Sequence, residues 1–430
     1  MPDAAPGEGR FPPDIKGEMM LTINGPRLLD DLHTLGRIGA TGAGGVSRPA
    51  LSAADMAARA WFRARIEESG LEYRQDGAGN QSAVLPAADP DAQTLLFGSH
   101  LDTVPDGGRY DGALGTLAAL EALRTIQEAG RRFPVQLEAI SFTDEEGANI
   151  SLLGSRALAG GLTPDDLASP HNGAETFAAN LARAGLTAEG ILSARRPPGT
   201  LLAFVEAHIE QGTRLERSGT DIGVVTSIVG IRACWLTFTG EAAHAGTKPL
   251  TERRDALWGA ADFIRRARDL VRERFLPGTM NCGLIQAAPG AFNIVPGEAR
   301  LALEFRHPTA ARLDEMEAAL VALGQQIAAA HGLALDITST GSVPPTPLDE
   351  SVMAAIEAAA DRLGLSHTRL VSFAGHDTMA MAAIAPAAMF FVPSVEGVSH
   401  QPREATRDAD VIHAANVLLH VVLRLAESGR

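Results

Sequence analysis

Gly98-Ser99-His100-Leu101-Asp102-Thr103-Val104-Pro105, with Tyr110-Asp111-Gly112 close behind it, is the segment from which the architecture can be read. The apolar run at 94–97 (TLLF) leads into it and predicts a buried strand. Residues 113–129 come next with helical spacing, and Gly130 is placed to stop that helix. His100, Asp102 and Asp111 therefore fall at the C-terminal end of a strand and in the loop after it, where α/β sheets place their ligand sites. A neutral imidazole and two carboxylates on one loop can bind a divalent cation, and one carboxylate can fix the tautomer of the imidazole from behind. Taken alone, the pattern fits a solvated polar loop equally well. Three later strand ends tip the balance.

Downstream, residues 135–142 (VQLEAISF) form the next strand and end in Thr143-Asp144-Glu145-Glu146-Gly147. Consecutive carboxylates at a strand end are costly unless something cationic faces them. In such a loop one Glu can coordinate a metal while its neighbour faces a water. The apolar run 201–205 leads into Glu206-Ala207-His208-Ile209-Glu210-Gln211-Gly212. Far along the chain, the strand at 387–392 precedes Gly397-Val398-Ser399-His400. Strand ends thus carry His100, Asp102 and Asp111, then Glu145 and Glu146, then His208, then His400. Imidazoles and carboxylates in these numbers suit two Zn²⁺ or Mn²⁺ ions bridged by one carboxylate and one water. A remaining Glu could take the proton of that water. His33, His171, His413 and His420 read as packing, loop or surface residues.

Upstream, Ser52 reads as the cap of a helix, and 71–73 and 82–85 as paired strands around a glycine-rich turn. Around residues 223–230 the chain changes character. Strands at 233–240, 280–285, 298–305 and 333–338 alternate with amphipathic helices at 255–274 and 312–331. This predicts a compact α+β insert whose sheet carries helices on one face. An exposed edge strand and an open sheet face favour dimerisation through the insert. A helix at 349–363 and a closing helix at 408–428 complete the chain. The expected organisation is a catalytic domain in two parts, 18–226 and 341–430, interrupted by the insert at 227–340.

Composition narrows the function. A chain of 430 residues is too long for one ordinary core. Hydrophobic residues at 45% and charged residues at 21% are those of a globular protein. A net charge of −15 speaks against nucleic acid and anionic membranes as partners. The two cysteines, Cys234 and Cys282, lie far apart and form no disulfide framework, which favours a reducing, cytoplasmic compartment. No apolar run is read as reaching membrane-spanning length. Residues 1–17 lack an apolar core and read as a flexible tail, not a signal peptide.

GSHLDTVPDGGRYDGALG, SFTDEEG, LLGSRALAG, EAHIEQG, TGEAAHAGTKPL, NIVPGEARLALEFR, AGHDTMAMA and VPSVEGVSH, in this order, resemble the amidase branch of the di-zinc M20 peptidase family. That branch contains N-carbamoyl-L-amino-acid hydrolases, β-ureidopropionases and allantoate amidohydrolases. The resemblance implies an α/β, di-zinc exopeptidase-like catalytic domain with an inserted lid and dimerisation domain. It implies two divalent cations per subunit, Zn²⁺ or alternatively Mn²⁺, Co²⁺ or Ni²⁺. His100 and His208 would hold one, Glu146 and His400 the other, and Asp111 would bridge them. Asp102 would orient His100, and Glu145 would act as general base and acid. Gln211, His244, Asn293, Arg306 and Gly375 match substrate-binding positions. Arg306 would grip a substrate carboxylate, and His244 would stabilise the oxyanion from the other subunit of a homodimer. A cis peptide is implied after Asp111. The expected reaction cleaves a ureido acid to ammonia, carbon dioxide and the amino acid. A dinuclear exopeptidase and an inactive metal-binding homologue are the rival readings. Departures at Ala148-Asn149-Ile150, Phe373 and the segment after His400 bear on substrate identity.

Overall fold

The computed structural model describes residues 20–428, so the N-terminal tail read at 1–17 lies outside the described residues. The chain divides into two compact units. The first takes residues up to Thr226, Leu348–Leu370 and the chain from His376 onward; the second takes Ser227–Pro347 and Val371–Gly375.

The first unit is built on a mixed sheet. Its strands run in the spatial order Glu72–Gln75, Gln81–Leu85, Gln136–Phe142, Thr94–His100, Leu201–Ile209, Ala387–Val392 and Ile222–Ile228. Thr94–His100 is parallel to both of its neighbours, and Leu201–Ile209 is parallel to Ala387–Val392. Every position of Thr94–His100 is buried, as expected for a central strand covered on both faces. On one face Leu96, Ile140, Phe142 and Phe204 pack with Leu158 and Met381 of short helices. The helix Ala113–Glu128 also packs on these strands and against the closing helix Asp408–Ser428. Parallel strands bring their C-terminal ends to one side of the sheet. The ends at His100, Phe142 and Ile209 are thereby neighbours, and the loops beyond them can share a site.

The closing helix corrects one expectation. By length and composition Asp408–Ser428 is apolar enough to cross a membrane. Val411, Ala414, Leu418, Val421 and Val422 along it are fully buried, which makes it a core helix.

The second unit is a four-stranded antiparallel sheet in the order Ala334–Val343, Gly230–Thr239, Glu298–His307, Thr279–Ala288. Leu236, Phe238, Leu301, Leu303 and Phe305 pack under Phe263 and Val271 of helix Ala256–Arg274 and Met316 and Leu320 of helix Ala310–Ala330. The alternating residues of the strands, Trp235, Arg300, Glu304 and Arg306 among them, lie off this core, so the helices cover one face. Asp255 starts the first of these helices by accepting the amide hydrogens of Leu257 and Trp258.

Candidate active site

Asp111 is the hub of the first unit's strand-end loops. The apolar residues of helix Ala113–Glu128 pin its first turn to the sheet, and Gly112 turns the chain into it at φ 62°. The turn has no room for a side chain: a Cβ on Gly112 would lie 2.4 Å from the His100 ring. The peptide between Asp111 and Gly112 is trans. Among the described residues the cis bonds are Leu276–Pro277 and Ala288–Pro289. The implied cis bond is therefore corrected, and the positive φ of Gly112 makes the turn in its place.

The two carboxylate oxygens of Asp111 face different partners. Oδ1 lies 3.1 Å from His208 Nε2 and 3.6 Å from His100 Nε2. Oδ2 lies 3.3 Å from His400 Nε2, which is itself 3.4 Å from Glu146 Oε1. Two groups of potential ligand atoms result, His100–Asp111–His208 and Asp111–Glu146–His400, and they share Asp111. The first group is buried, whereas the His400 side chain is 49% exposed. Glu145 Oε2 sits 3.6 Å from His100 Nε2.

The imidazoles are aimed by backbone oxygens. His208 Nδ1 bonds the carbonyl of Ile209 at 2.9 Å, which leaves Nε2 facing Asp111. His100 Nδ1 bonds the carbonyl of Asp102 at 3.1 Å. This revises the part expected of Asp102. Its carboxylate, 3.6 Å from His100 Nδ1, accepts instead the amide hydrogens of Glu145 at 3.3 Å and Glu146 at 3.2 Å. Asp102 thus orients His100 through its main chain and holds the Glu145-Glu146 loop through its side chain.

The electrostatics call for positive charge. Burial, followed by repulsion from Asp377, Glu146, Asp102 and Asp111, holds Glu145 well above the usual carboxylate range. Burial and then Asp111 push Glu146 up to about 8. Burial alone would raise Asp111, but His208, His400 and His100 outweigh it and hold it well below that range. In return His208 is pushed up to about 9 by Asp111 against the effect of burial, and His400 to about 9 by its hydrogen bond to Asp111. His100 is pushed down to about 4 by burial. Crowded carboxylates beside inward-facing imidazole nitrogens are a donor set that divalent Zn²⁺ or Mn²⁺ satisfies, so the residues present fit the implied ions.

Gln211 also reaches the hub. It adopts a positive φ of 56°, and its Nε2 donates to Asp111 Oδ2 at 2.7 Å. Its Oε1 is buried and accepts no hydrogen bond.

The other expected substrate residues belong to the second unit. His244 is exposed on the short strand Ala243–His244, which pairs with Ile294–Val295. Its Nδ1 accepts the amide hydrogens of Gly246 and Thr247 at 3.1 and 3.2 Å, so its Nε2 is the free edge. The carbonyl of Asn293 accepts from Ala245 at 2.9 Å, which places Asn293 beside His244. Arg306 donates through Nε to Glu304 at 2.8 Å and through Nη1 to the carbonyl of Phe373. Gly375 lies two residues beyond that carbonyl.

Sequence reasoning missed several residues of this site. Glu206 is fully buried and accepts from Ser99 Oγ at 2.7 Å, Thr378 Oγ1 at 2.6 Å and the Thr378 amide at 3.0 Å. His376 lies beneath His208, with ring centroids 4.5 Å apart. Ser399 and Glu404 bond around Asp111. Glu206 and Ser399 adjoin ligand positions in sequence, and that adjacency was the available signal.

The chain has clear relatives. The model of peptidase family M20/M25/M40 matches residues 96–424. The N-carbamoyl-L-amino acid amidohydrolase of Geobacillus stearothermophilus is 37% identical over 94% of this chain and 99% of its own length. The allantoate amidohydrolase of Bacillus subtilis is 34% identical over 93% and 97%. The crystal structure of a hydantoinase/carbamoylase family amidase from Burkholderia ambifaria superposes with a TM-score of 0.87 at 37% identity, covering 95% of this chain and 98% of that one.

Proposed function

We propose, for a chain that belongs to peptidase family M20/M25/M40, the activity of an amidohydrolase that cleaves the linear C–N bond of a ureido amino acid. The observation that carries this is the pair of ligand groups sharing Asp111, with Glu145 beside them, on a chain 34–37% identical over most of its length to three N-carbamoyl-L-amino-acid amidohydrolases. Two divalent cations, Zn²⁺ or alternatively Mn²⁺, Co²⁺ or Ni²⁺, held by His100, His208 and Asp111 and by Asp111, Glu146 and His400, would supply the charge that acidifies a water and polarises a carbonyl.

Glu145 accepts the proton of that water, and the water oxygen adds to the ureido carbon. Glu145, with Oε2 3.6 Å from His100 Nε2, stands beside the ligand groups where it can take the proton and then return it. Glu145 delivers the proton to the departing nitrogen as the C–N bond breaks. The carbamate that remains loses carbon dioxide, so the products are ammonia, carbon dioxide and the free amino acid. Gln211 Oε1 receives an N–H of the ureido group. Arg306 grips the substrate carboxylate with a planar fork of donors, backed by the Gly375 main chain. His244, supplied by a second copy of the chain together with Asn293, holds the developing oxyanion. The working form is a homodimer assembled through the second unit, in the cytoplasm, with no nucleic acid or membrane partner.

Allantoate is the second substrate reading, favoured by the relative from Bacillus subtilis, and β-ureidopropionate is a third. Ammonia release from N-carbamoyl-L-amino acids, allantoate and β-ureidopropionate, with dipeptides as controls and Zn²⁺, Mn²⁺, Co²⁺ or Ni²⁺ supplied, tests the proposal. Turnover of a ureido acid with inert dipeptides is expected. Cleavage of dipeptides alone would assign the chain to the exopeptidases, and inertness with every metal would make it a binding homologue.

A further inference from the structure

We infer that Glu404 is the positioning residue of the exposed cation site, clamping the loop that carries Asp111 to the loop that carries His400. The inference rests on reading Asp111, Glu146 and His400 as ligands. His400 belongs to no regular element and sits at a positive φ of 57° with half its side chain exposed. Its distance from Asp111 must therefore be set by tethers between loops.

Glu404 supplies them. It is 4% exposed, and its own loop is tied back by the bond from the Val395 amide to the Ala405 carbonyl at 2.8 Å. Oε1 accepts the amide hydrogens of Tyr110 at 2.9 Å and Asp111 at 3.0 Å, 293 positions away in the latter case. Oε2 lies 2.9 Å from Ser399 Oγ, which is also 2.8 Å from Asp111 Oδ2. One side chain thus grips the main chain of the shared ligand and fixes Ser399, whose single hydroxyl hydrogen lies between Glu404 and the carboxylate oxygen that faces His400. Gly108 is bare to admit it: a Cβ there would fall 1.9 Å from the Glu404 carboxylate.

The role is geometric, so shape should matter more than charge. A glutamine can keep its oxygen on the two amides and turn its NH₂ toward Ser399 Oγ. An alanine leaves those amides buried without an acceptor.

Metal-free full-length protein titrated with Zn²⁺ in a calorimeter reads this directly. Wild type is expected to take up two equivalents. Glu404→Ala is expected to weaken one equivalent by about 10- to 100-fold while the other stays within about threefold, and Glu404→Gln to stay within about threefold at both. Ser399→Ala should weaken the same equivalent by less, which keeps the test open if Glu404→Ala folds poorly. In kinetics, Glu404→Ala at limiting metal should lose kcat with KM held. Unchanged affinity for both equivalents in Glu404→Ala would overturn the inference. So would equal losses at both sites in the Ala and Gln variants, which would mark a charge effect or general damage. A wild type that binds fewer than two equivalents would overturn the ligand reading itself, before any variant is made.

Discussion

Asp111 presents one oxygen to the buried pair His100 and His208 and the other to His400, and Gly112 makes this possible by turning the chain where no side chain fits. Gly112→Ala would drive a methyl group into the His100 ring and strain a positive φ. It is expected to lower kcat/KM by at least about 100-fold and to weaken the first cation equivalent, read by calorimetry. Glu145→Gln keeps shape but cannot take a proton; turnover should fall by at least about 100-fold while both cation equivalents still bind. Retained turnover would remove Glu145 as the base. At this scale the residue types that meet around Asp111 were legible, because they stand at strand ends or in the loops that follow them. The tethers were not. Glu404 is one acidic residue in a polar loop, and its main-chain partners, the amides of Tyr110 and Asp111, lie 294 and 293 positions away, which no periodicity reports. Asp102 shows the same limit: its presence beside His100 was plain, but which of its oxygens would face the ring was not.

Leu201–Ile209 shows what elements add. The apolar run suggests a strand ending at Val205, yet pairing with Ala387–Val392 carries it through His208. Polar residues hid the extension because Glu206 and His208 are buried there by partners the sequence does not display. Glu206 joins this strand to Ser99 on the neighbouring strand and to Thr378 on a short helix. Glu206→Ala strands two hydroxyls and an amide in the core, so urea unfolding of the metal-free protein should show a loss of about 1–3 kcal/mol. The two long helices of the second unit were readable from their amphipathic spacing. Arg306 lies on the strand face away from that helical core, already paired with Glu304. Arg306→Ala should raise KM for a ureido acid about 10-fold or more with kcat little changed, and an unchanged KM would dismiss it as the carboxylate grip.

Over the whole molecule, the family and the α/β class could be read from motif order, whereas the return of Val371–Gly375 to the second unit could not, since it is five residues of unremarkable composition. The second unit's sheet ends in strand Thr279–Ala288, where Leu284 and Ile285 stay exposed at 43% and 44%. Apolar residues on an open edge suit pairing with a second copy. For the proposed homodimer, Ile285→Lys should halve the mass seen by light scattering and depress kcat, because a neighbouring copy would no longer offer the His244 proposed to act across the interface. A monomeric wild type with full activity would refute the shared site.

The order of elements also bears on synthesis. Leu201–Ile209 must wait for its second parallel neighbour, Ala387–Val392, and the apolar helix Asp408–Ser428 is made later still. The second unit is almost contiguous and can close while still tethered to the translating complex. The first half of the catalytic sheet meanwhile stands with a bare flank, so chains released early, before residue 387, would present that flank to one another and precipitate.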